Sequence, residues 1–159
     1  MELTSFRPEH QDRLEAFLKV MQESRGYRFD PAKLPPDILS VKETYQENGL
    51  GFWVVEDAKA IVASVGLRIP HRHERIGEIK RYFVHPDFQG RGWGNRLITH
   101  AIDVAVGNRL VKLRLDTMRK SEVALLVFRK HGFHEIPKYN DNQIAEVFME
   151  KDLTAREAQ

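Results

Sequence analysis

The sequence contains no cysteine among its 159 residues. That absence excludes disulfide scaffolds, cysteine-ligated zinc, iron–sulfur clusters and a thiol nucleophile on the chain itself. The chain also lacks any run of about 20 apolar residues, the length that crosses a bilayer. Its first residues contain no apolar stretch of signal-peptide length. These absences predict a soluble, cytoplasmic protein without a membrane partner.

The chain has little net charge: it contains 25 Lys and Arg residues and 23 Asp and Glu residues, which gives a formal charge of +2. This value is too small to indicate nucleic acid as a partner. Residues 109–131, however, contain seven basic and two acidic side chains. Two interpretations are open for this basic stretch, a nucleic-acid surface or a solvated face near an anionic cofactor. The lack of a nucleic-acid-binding motif favours the second.

Length and apolar content predict one globular domain. A chain of about 150 residues buries enough surface for its own core, and 42% of this one is hydrophobic. We expect a single domain over residues 1–153 and a disordered tail over residues 154–159. His71 and His73 have a spacing that a metal site can use, but the arginines beside them favour a basic loop, so no metal is predicted.

Hydrophobic periodicity predicts the order β-α-α-β-β-β-α-β-α-β, an α/β or α+β fold on a mixed central sheet. Leu14, Phe17, Leu18 and Met21 have the i, i+3, i+4, i+7 spacing of one apolar helical face. The first predicted helix begins near Pro8 and ends before residue 24. The other predicted helices cover residues 37–48, 94–107 and 121–131, and the predicted strands cover residues 1–7, 51–56, 61–70, 76–84, 111–117 and 144–153.

The most informative segment is the glycine-rich turn Gln89–Asn95 between a predicted strand and a predicted helix. Glycines at alternate positions, Gly90, Gly92 and Gly94, allow several backbone N–H groups to face one point. The following helix adds unpaired amides and the positive end of its dipole, which suits a pyrophosphate. The spacing fits neither the dinucleotide-binding fingerprint nor a Walker loop. A tight connection without a ligand is the alternative interpretation.

The segment HPDFQGRGWGNRLI, which contains this turn, resembles motif A of the GNAT superfamily of N-acetyltransferases. LRLDT, the helix ending in FRKHGF and the segment EIPKYNDNQIAEVFMEKDL are similar to later strands and helices of the family. At the level of motifs the resemblance covers residues 76–150. It implies a mixed, mostly antiparallel central sheet flanked by helices, with the last segment forming a closing strand pair.

The resemblance also implies acetyl-coenzyme A as co-substrate, held without a metal. The turn Gln89–Asn95 would hold the pyrophosphate, and the end of the preceding strand would pair with the pantetheine arm. The amide of Val84 would donate to the thioester oxygen. The residues expected to bind the cofactor are Phe83, Val84, His85, Gln89, Gly90, Arg91, Gly92, Trp93, Gly94, Asn95, Thr117 and Phe128.

Glu78 lies eleven residues before Gln89, where members of the family place a general base. Strand alternation predicts that Ile76, Glu78, Lys80 and Tyr82 share one face. There, partial burial would raise the carboxyl pKa and allow Glu78 to take a proton from the amine. The alternative is a strand-surface carboxylate paired with Lys80 or with the Arg114 of a later strand.

Phe128 departs from the family pattern, which has a tyrosine there to protonate the departing thiolate. Tyr82 or His131 would have to substitute, or the thiol, with a pKa of about 8.5, leaves unassisted. The missing hydroxyl also keeps open a non-catalytic protein that binds acyl-coenzyme A as a sensor or interaction module.

The sequence thus predicts an N-acetyltransferase that acts on a primary amine of a small molecule or protein. Residues 24–50 and the loop Tyr139–Asn142 are expected to contact this acceptor. Arg25, Tyr27 and Arg28 indicate an acidic or carboxylate-bearing molecule, as does Tyr139. Small members of the family are often dimers, so a homodimer is a further expectation, although no dimer interface is recognisable in the sequence.

Overall fold

The structure is a computed structural model that describes residues 1–154. All but the first residue of the predicted tail, residues 154–159, lies outside the described residues. The helices are α1 (Gln11–Ser24), α2 (Pro36–Leu39), α3 (Trp93–Gly107) and α4 (Glu122–Lys130). The strands are β1 (Leu3–Ser5), β2 (Gly49–Asp57), β3 (Ala60–His71), β4 (Ile76–Val84), β5 (Lys112–Thr117), β6 (His134–Ile136) and β7 (Val147–Asp152).

The strands form one mixed sheet in the order β1-β2-β3-β4-β5-β7-β6. β4 and β5 run parallel, and the other neighbouring strands within residues 1–154 run antiparallel. The predicted fold class, a mixed and mostly antiparallel sheet with flanking helices, is confirmed. Periodicity alone predicted one final strand, whereas the family resemblance implied a closing strand pair, and the structure has that pair in β6 and β7.

Each face of the sheet carries its own apolar core. On one face α3 and α4 pack against the central strands through residues such as Leu97 and Leu125. On the other face α1 and α2 contribute residues such as Phe17 and Ile38 to a core that they share with β2 and β3. The four apolar positions predicted for α1 are all buried. Within residues 1–154, no helix has the length and apolar character that crossing a membrane requires.

The second predicted helix, residues 37–48, is interrupted in the structure. Helix α2 ends at Leu39, and residues Lys42–Glu47 form a wider π-helical turn. The break is at Ser40, whose hydroxyl donates a hydrogen bond of 2.7 Å to the Pro36 carbonyl. The Ser40 amide also donates to that carbonyl, at 3.1 Å, but the φ and ψ of Ser40, −138° and +54°, are not helical, so α2 ends there.

β4 contains a bulge at Arg81, whose φ is +53°. The register of β3 against β4 shifts here because β4 has one extra residue. The extra residue reverses the alternation of side chains along the strand. Tyr82 therefore packs against the α3 core, as Ile79 does. The prediction that Tyr82 shares a face with Glu78 and Lys80 is wrong for this reason.

Two side chains hold the bulge in place. The Asp37 carboxylate of α2 accepts two hydrogen bonds from the Arg81 guanidinium, at 2.7 and 2.9 Å. The Ser64 hydroxyl donates to the Arg81 carbonyl at 2.7 Å. Burial alone raises the pKa of Asp37, but the Arg81 guanidinium outweighs burial and holds that pKa below its ordinary value. An ion pair thus joins α2 to the bulge.

The pairing of β4 with β5 stops just before the bulge. Ile79 and Leu115 form the last pair in their register. Beyond this pair, residues 80–84 of β4 and residues 116–117 of β5 share no ladder bonds in the described structure. The sheet therefore has a gap at its centre, with backbone groups of β4 along one edge.

We expect Asp37→Ala to lower the free energy of unfolding by about 2–4 kcal/mol at neutral pH, because Arg81 loses its counter-charge. The folded-state pKa of Asp37 lies below its unfolded value. Its contribution is therefore present above about pH 4 and is lost as the pH falls through the folded pKa. Urea denaturation of wild type and variant at neutral and acid pH measures both effects.

Asp103→Ala is the matched control, since Asp103 is exposed on α3. An exposed substitution of this kind changes stability by about 0.5 kcal/mol or less. A loss at Asp37 no larger than the loss at Asp103 contradicts the anchoring role.

Candidate functional site

Two adjoining clefts open at the gap between β4 and β5. The first, here called the larger cleft, has a volume of about 680 Å³ and is bordered by α1, α2 and residues 140–145. The second, here called the turn cleft, has a volume of about 620 Å³ and is bordered by residues 88–95 and the start of α4. Arg25, Tyr82 and Phe83 border both clefts.

The glycine-rich turn presents amide groups to the turn cleft. Gly90 and Gly92 have φ values of +75° and +85°, a region that favours glycine. No atom lies within 4 Å of the position that a Cβ would take at either residue, so the backbone there is open to an approaching group. The first bond of α3 runs from the Arg96 amide to the Gly92 carbonyl, 3.1 Å. The amides of residues 93–95 therefore have no partner in the helix, and the turn fits an anion such as pyrophosphate.

One strand amide is directed into the gap. The His85 amide donates to the Val62 carbonyl of β3 at 2.8 Å. Ala63 and Val84 are therefore a non-hydrogen-bonded pair of the antiparallel ladder, in which each residue directs its N–H and C=O away from the other strand. The Val84 amide faces the gap, whereas the amides of Phe83 and His85 face β3.

Most of the residues predicted to bind a cofactor border one of the clefts. Thr117 and Phe128 line the larger cleft. His85 and Arg91 line neither, and the Arg91 guanidinium lies 4.8 Å from the centre of the Phe88 ring. The predicted residues that line the turn cleft are Phe83, Val84, Gln89, Gly90, Gly92, Trp93, Gly94 and Asn95.

Glu78, the predicted base, has only 2% of its side chain exposed and lines neither cleft. Its oxygens accept hydrogen bonds from Arg68 (2.5 Å), Tyr139 (2.7 Å) and Asn140 (3.1 Å), and the Lys80 ammonium is 3.6 Å away. Burial alone raises the pKa of Glu78, but the Lys80 charge and these hydrogen bonds outweigh it. The pKa is held below its ordinary value, so the expectation of a raised pKa is wrong.

The sequence interpretation did not find three members of this polar cluster, Arg68, Asp116 and Asn140. Arg68 lies opposite Glu78 in the register of β3 and β4. Asp116 accepts hydrogen bonds from Lys80 at 2.9 Å and from Asn140 at 2.6 Å. Alternating charged and apolar residues on β5 signalled a polar face there. Which of them meet across strands depends on the register, which that pattern leaves open.

The alternative predicted for Glu78, a surface carboxylate paired with Lys80 or Arg114, agrees with the structure only in part. Lys80 is close to Glu78. Arg114 instead donates to Glu150 on β7 at 2.8 Å. Glu78 is also fully enclosed rather than at the surface, so it is a buried member of a charged network.

A tyrosine hydroxyl lies beside the apolar Phe128. The rings of Phe128 and Tyr82 are 4.9 Å apart. The Tyr82 hydroxyl reaches the first turn of α3, where a Cβ on Gly94 would lie 2.6 Å from it. Burial raises the pKa of Tyr82, so the hydroxyl keeps its proton at neutral pH. His131, the other predicted substitute, lines neither cleft, and its Nδ1 is 2.9 Å from the Val127 carbonyl.

The basic stretch, residues 109–131, is partly neutralised by acidic partners. Arg114 binds Glu150, as above, and Arg119 pairs with Glu135 at 2.8 Å. The stretch therefore does not present all of its charges to one partner. This pairing removes support from the interpretation of the stretch as a nucleic-acid surface.

His71, in the predicted basic loop, ends β3, and His73 lies in the connection to β4. His71 Nδ1 is 3.9 Å from the exposed Glu74 carboxylate. In the part of the chain that the structure describes, no three His, Asp or Glu side chains are grouped so that they could hold a metal ion.

The sequence matches known proteins over much of its length. The model of the acetyltransferase (GNAT) family matches residues 14–133. An uncharacterized N-acetyltransferase of Methanocaldococcus jannaschii is 40% identical over 62 residues. That match covers 38% of this chain and 26% of the relative, so it spans about a quarter of the relative's length.

Solved structures share the fold. An acetyltransferase of the GNAT family from Staphylococcus aureus has a TM-score of 0.86 at 19% identity, over 96% of this chain and 98% of that one. An acetyltransferase from Streptococcus agalactiae has a TM-score of 0.80 at 20% identity, over 95% of this chain and 97% of that one. The family match over residues 14–133, on a chain with this fold and this turn, shows that the protein belongs to the acetyltransferase (GNAT) family.

Proposed function

We propose that the protein is an acetyl-coenzyme A-dependent N-acetyltransferase acting on a primary amine of a small molecule or a protein. The observation that carries this proposal is the gap between β4 and β5, where the Val84 amide and the glycine-rich turn border two adjoining clefts. The turn cleft takes the cofactor, and the larger cleft takes the amine. Both substrates are bound together, and the amine attacks directly.

Acetyl-coenzyme A supplies an acetyl group that is activated as a thioester. The amides of residues 93–95 hold its pyrophosphate at the positive end of the α3 dipole. The Val84 amide donates to the thioester oxygen and stabilises the negative charge that develops there during attack. The chain has no cysteine to carry an acetyl group, which supports direct transfer over a covalent acetyl-enzyme.

The proposed pyrophosphate site, formed by the glycine-rich turn and the amides of residues 93–95 and here called the cradle, is tested with two variants at one position, Gly92→Ala and Gly92→Glu. Both variants lose stability because a side chain is strained at φ +85°, and only Gly92→Glu adds a negative charge. We expect Gly92→Glu to weaken coenzyme A binding at least about tenfold relative to Gly92→Ala, because the carboxylate repels the pyrophosphate. Isothermal titration measures binding, and thermal denaturation shows whether both variants fold.

The same proteins are assayed for release of free thiol from acetyl-coenzyme A with a panel of amines. Release that depends on an amine and falls in parallel with coenzyme A affinity supports the transferase. Equal binding by the two variants contradicts the cradle. Tight binding of acetyl-coenzyme A without release for any amine favours the second candidate, a non-catalytic acyl-coenzyme A sensor or interaction module, which the apolar Phe128 suggests.

In the proposed mechanism Glu78 accepts the proton that the amine loses through a water molecule, which takes the proton from the amine and passes one on to the carboxylate. Its oxygens are covered by Arg68, Tyr139 and Asn140, so the amine cannot reach them directly. The low pKa keeps Glu78 ionised at neutral pH and ready to accept. The same charge also holds Lys80 and Arg68 in place along the cleft wall.

Glu78→Gln is therefore expected to lower turnover by about a hundredfold with little change in coenzyme A affinity. Because the pKa of Glu78 is lowered, the fall in wild-type kcat that protonation of Glu78 causes is expected only below about pH 4.5. The measurement is kcat against pH from about 4 to 9. Glu150→Gln is the matched control, as Glu150 is buried on the same sheet with its own arginine partner. If the kcat of Glu78→Gln is within threefold of the kcat of Glu150→Gln, Glu78 is not the base.

Tyr82 is the proposed proton donor to the departing sulfur in place of the hydroxyl that Phe128 lacks. Its hydroxyl is protonated and lies beside Gly94 of the glycine-rich turn, and Tyr82 lines both clefts. We expect Tyr82→Phe to lower kcat by about tenfold while the KM for acetyl-coenzyme A stays the same. Adding Phe128→Tyr to this variant places a hydroxyl on the adjacent ring and should restore turnover, as kcat measurements on both variants will show.

Two results contradict this role. One is an unchanged kcat in Tyr82→Phe, which means that the thiolate leaves without help. The other is a loss that Phe128→Tyr does not rescue and that is accompanied by weaker coenzyme A binding, which means that Tyr82 only supports the turn.

A further inference from the structure

Three of the cations that line the larger cleft have carboxylate partners. Arg81 binds Asp37, Arg68 binds Glu78, and Lys80 binds Asp116. Because each of these charges is balanced within the protein, none of the three needs an external anion.

Arg25, at the end of α1, is different. Its guanidinium lies over the Phe83 ring, 4.6 Å from the centroid, and the residue borders both clefts. Among residues 1–154, no carboxylate is within ion-pair distance of it. Partial burial strips water from the charge and lowers the pKa of Arg25. Arg25 is thus a half-buried cation that lacks the counter-ion its neighbours have.

The position of Arg25 points to the acceptor rather than to the cofactor. The Phe83 ring beneath it packs against Phe17 of α1 and belongs to the α1 side of the sheet. The proposed pyrophosphate cradle is at the start of α3, whose core is on the opposite side. Phe83 also directly precedes Val84, so Arg25 stacks on the residue next to the proposed donor to the thioester oxygen.

We propose that the acceptor amine carries a carboxylate and that Arg25 binds it. This inference rests on the proposed function. A guanidinium presents two parallel N–H groups that match the two oxygens of a carboxylate, and a partly desolvated site strengthens the pair. The acceptor class is therefore an amino acid or another small amine with a carboxylate close to the reacting nitrogen. Arg28 also borders the larger cleft, but its side chain is exposed, so its charge keeps its water and does not need a partner in the way that the charge of Arg25 does.

The test uses L-amino acids and their matched α-carboxamides as probes. Each pair has the same side chain and the same amine position and differs only in the carboxylate. We expect wild type to use the best acid with a kcat/KM at least about tenfold above that of its carboxamide. Since the two amines differ in basicity, the decisive quantity is the change of this ratio between wild type and variant.

Arg25→Gln should reduce the acid-to-carboxamide ratio by about tenfold and leave the KM for acetyl-coenzyme A unchanged. Arg25→Lys keeps the charge without the bidentate geometry and should keep part of the preference. Arg129→Gln is the matched control, since Arg129 is exposed on α4 and lines neither cleft; it is expected to behave as wild type. A higher KM for acetyl-coenzyme A with an unchanged acid-to-carboxamide ratio in Arg25→Gln overturns the proposal and assigns Arg25 to the cofactor.

Binding is measured separately by titrating the same pairs into protein saturated with coenzyme A. Tighter binding of acids that is lost in Arg25→Gln supports the inference even if no thiol is released. An absence of thiol release contradicts the proposed function but not the inference about Arg25. Turnover with acids and carboxamides alike leaves the function and overturns the inference. An absence of acid preference in both binding and turnover also overturns it.

Discussion

The ion pair between Arg81 and Asp37 is the interaction on which the central site depends. It fixes an extra residue in β4 at the point where that strand stops pairing with β5. A regular strand would continue the ladder and close the sheet. The bulge instead leaves a gap and places Tyr82 on one face and Phe83 on the other. Both clefts, the directed Val84 amide and the shared wall follow from this local irregularity.

Charge is distributed across the sheet in a way that makes the larger cleft a polar but mostly balanced environment. Four charged residues lie opposite one another across four neighbouring strands of the sheet: Arg68 on β3, Glu78 on β4, Arg114 on β5 and Glu150 on β7. Opposite charges alternate across these strands, so each buried group has a neighbour that offsets the cost of removing it from water. Against this background Arg25 is a chemical signal, because within residues 1–154 its desolvation is offset by an aromatic ring but not by an opposite charge.

Sequence patterns predicted those parts that depend on local chemistry. The alternate glycines around Gly92 identified the turn, and apolar spacing identified the buried face of α1. Patterns did not predict the bulge, because Arg81 and its neighbours include neither glycine nor proline to mark a break. They identified Lys80 as a neighbour of Glu78 but missed Arg68, because the contact with Arg68 depends on the register across a long hairpin. The low pKa of Glu78 therefore emerged only from three-dimensional contacts.

The wall shared by the two clefts has a thermodynamic consequence. Arg25, Tyr82 and Phe83 are each within reach of a molecule in either cleft. The side-chain entropy lost when one molecule orders these residues is not lost again when the second arrives. In the proposed ternary complex the two binding free energies are therefore not independent, and linkage requires the coupling to be the same in both directions. The shared wall makes the two clefts of that proposal one cooperative unit rather than two separate sites.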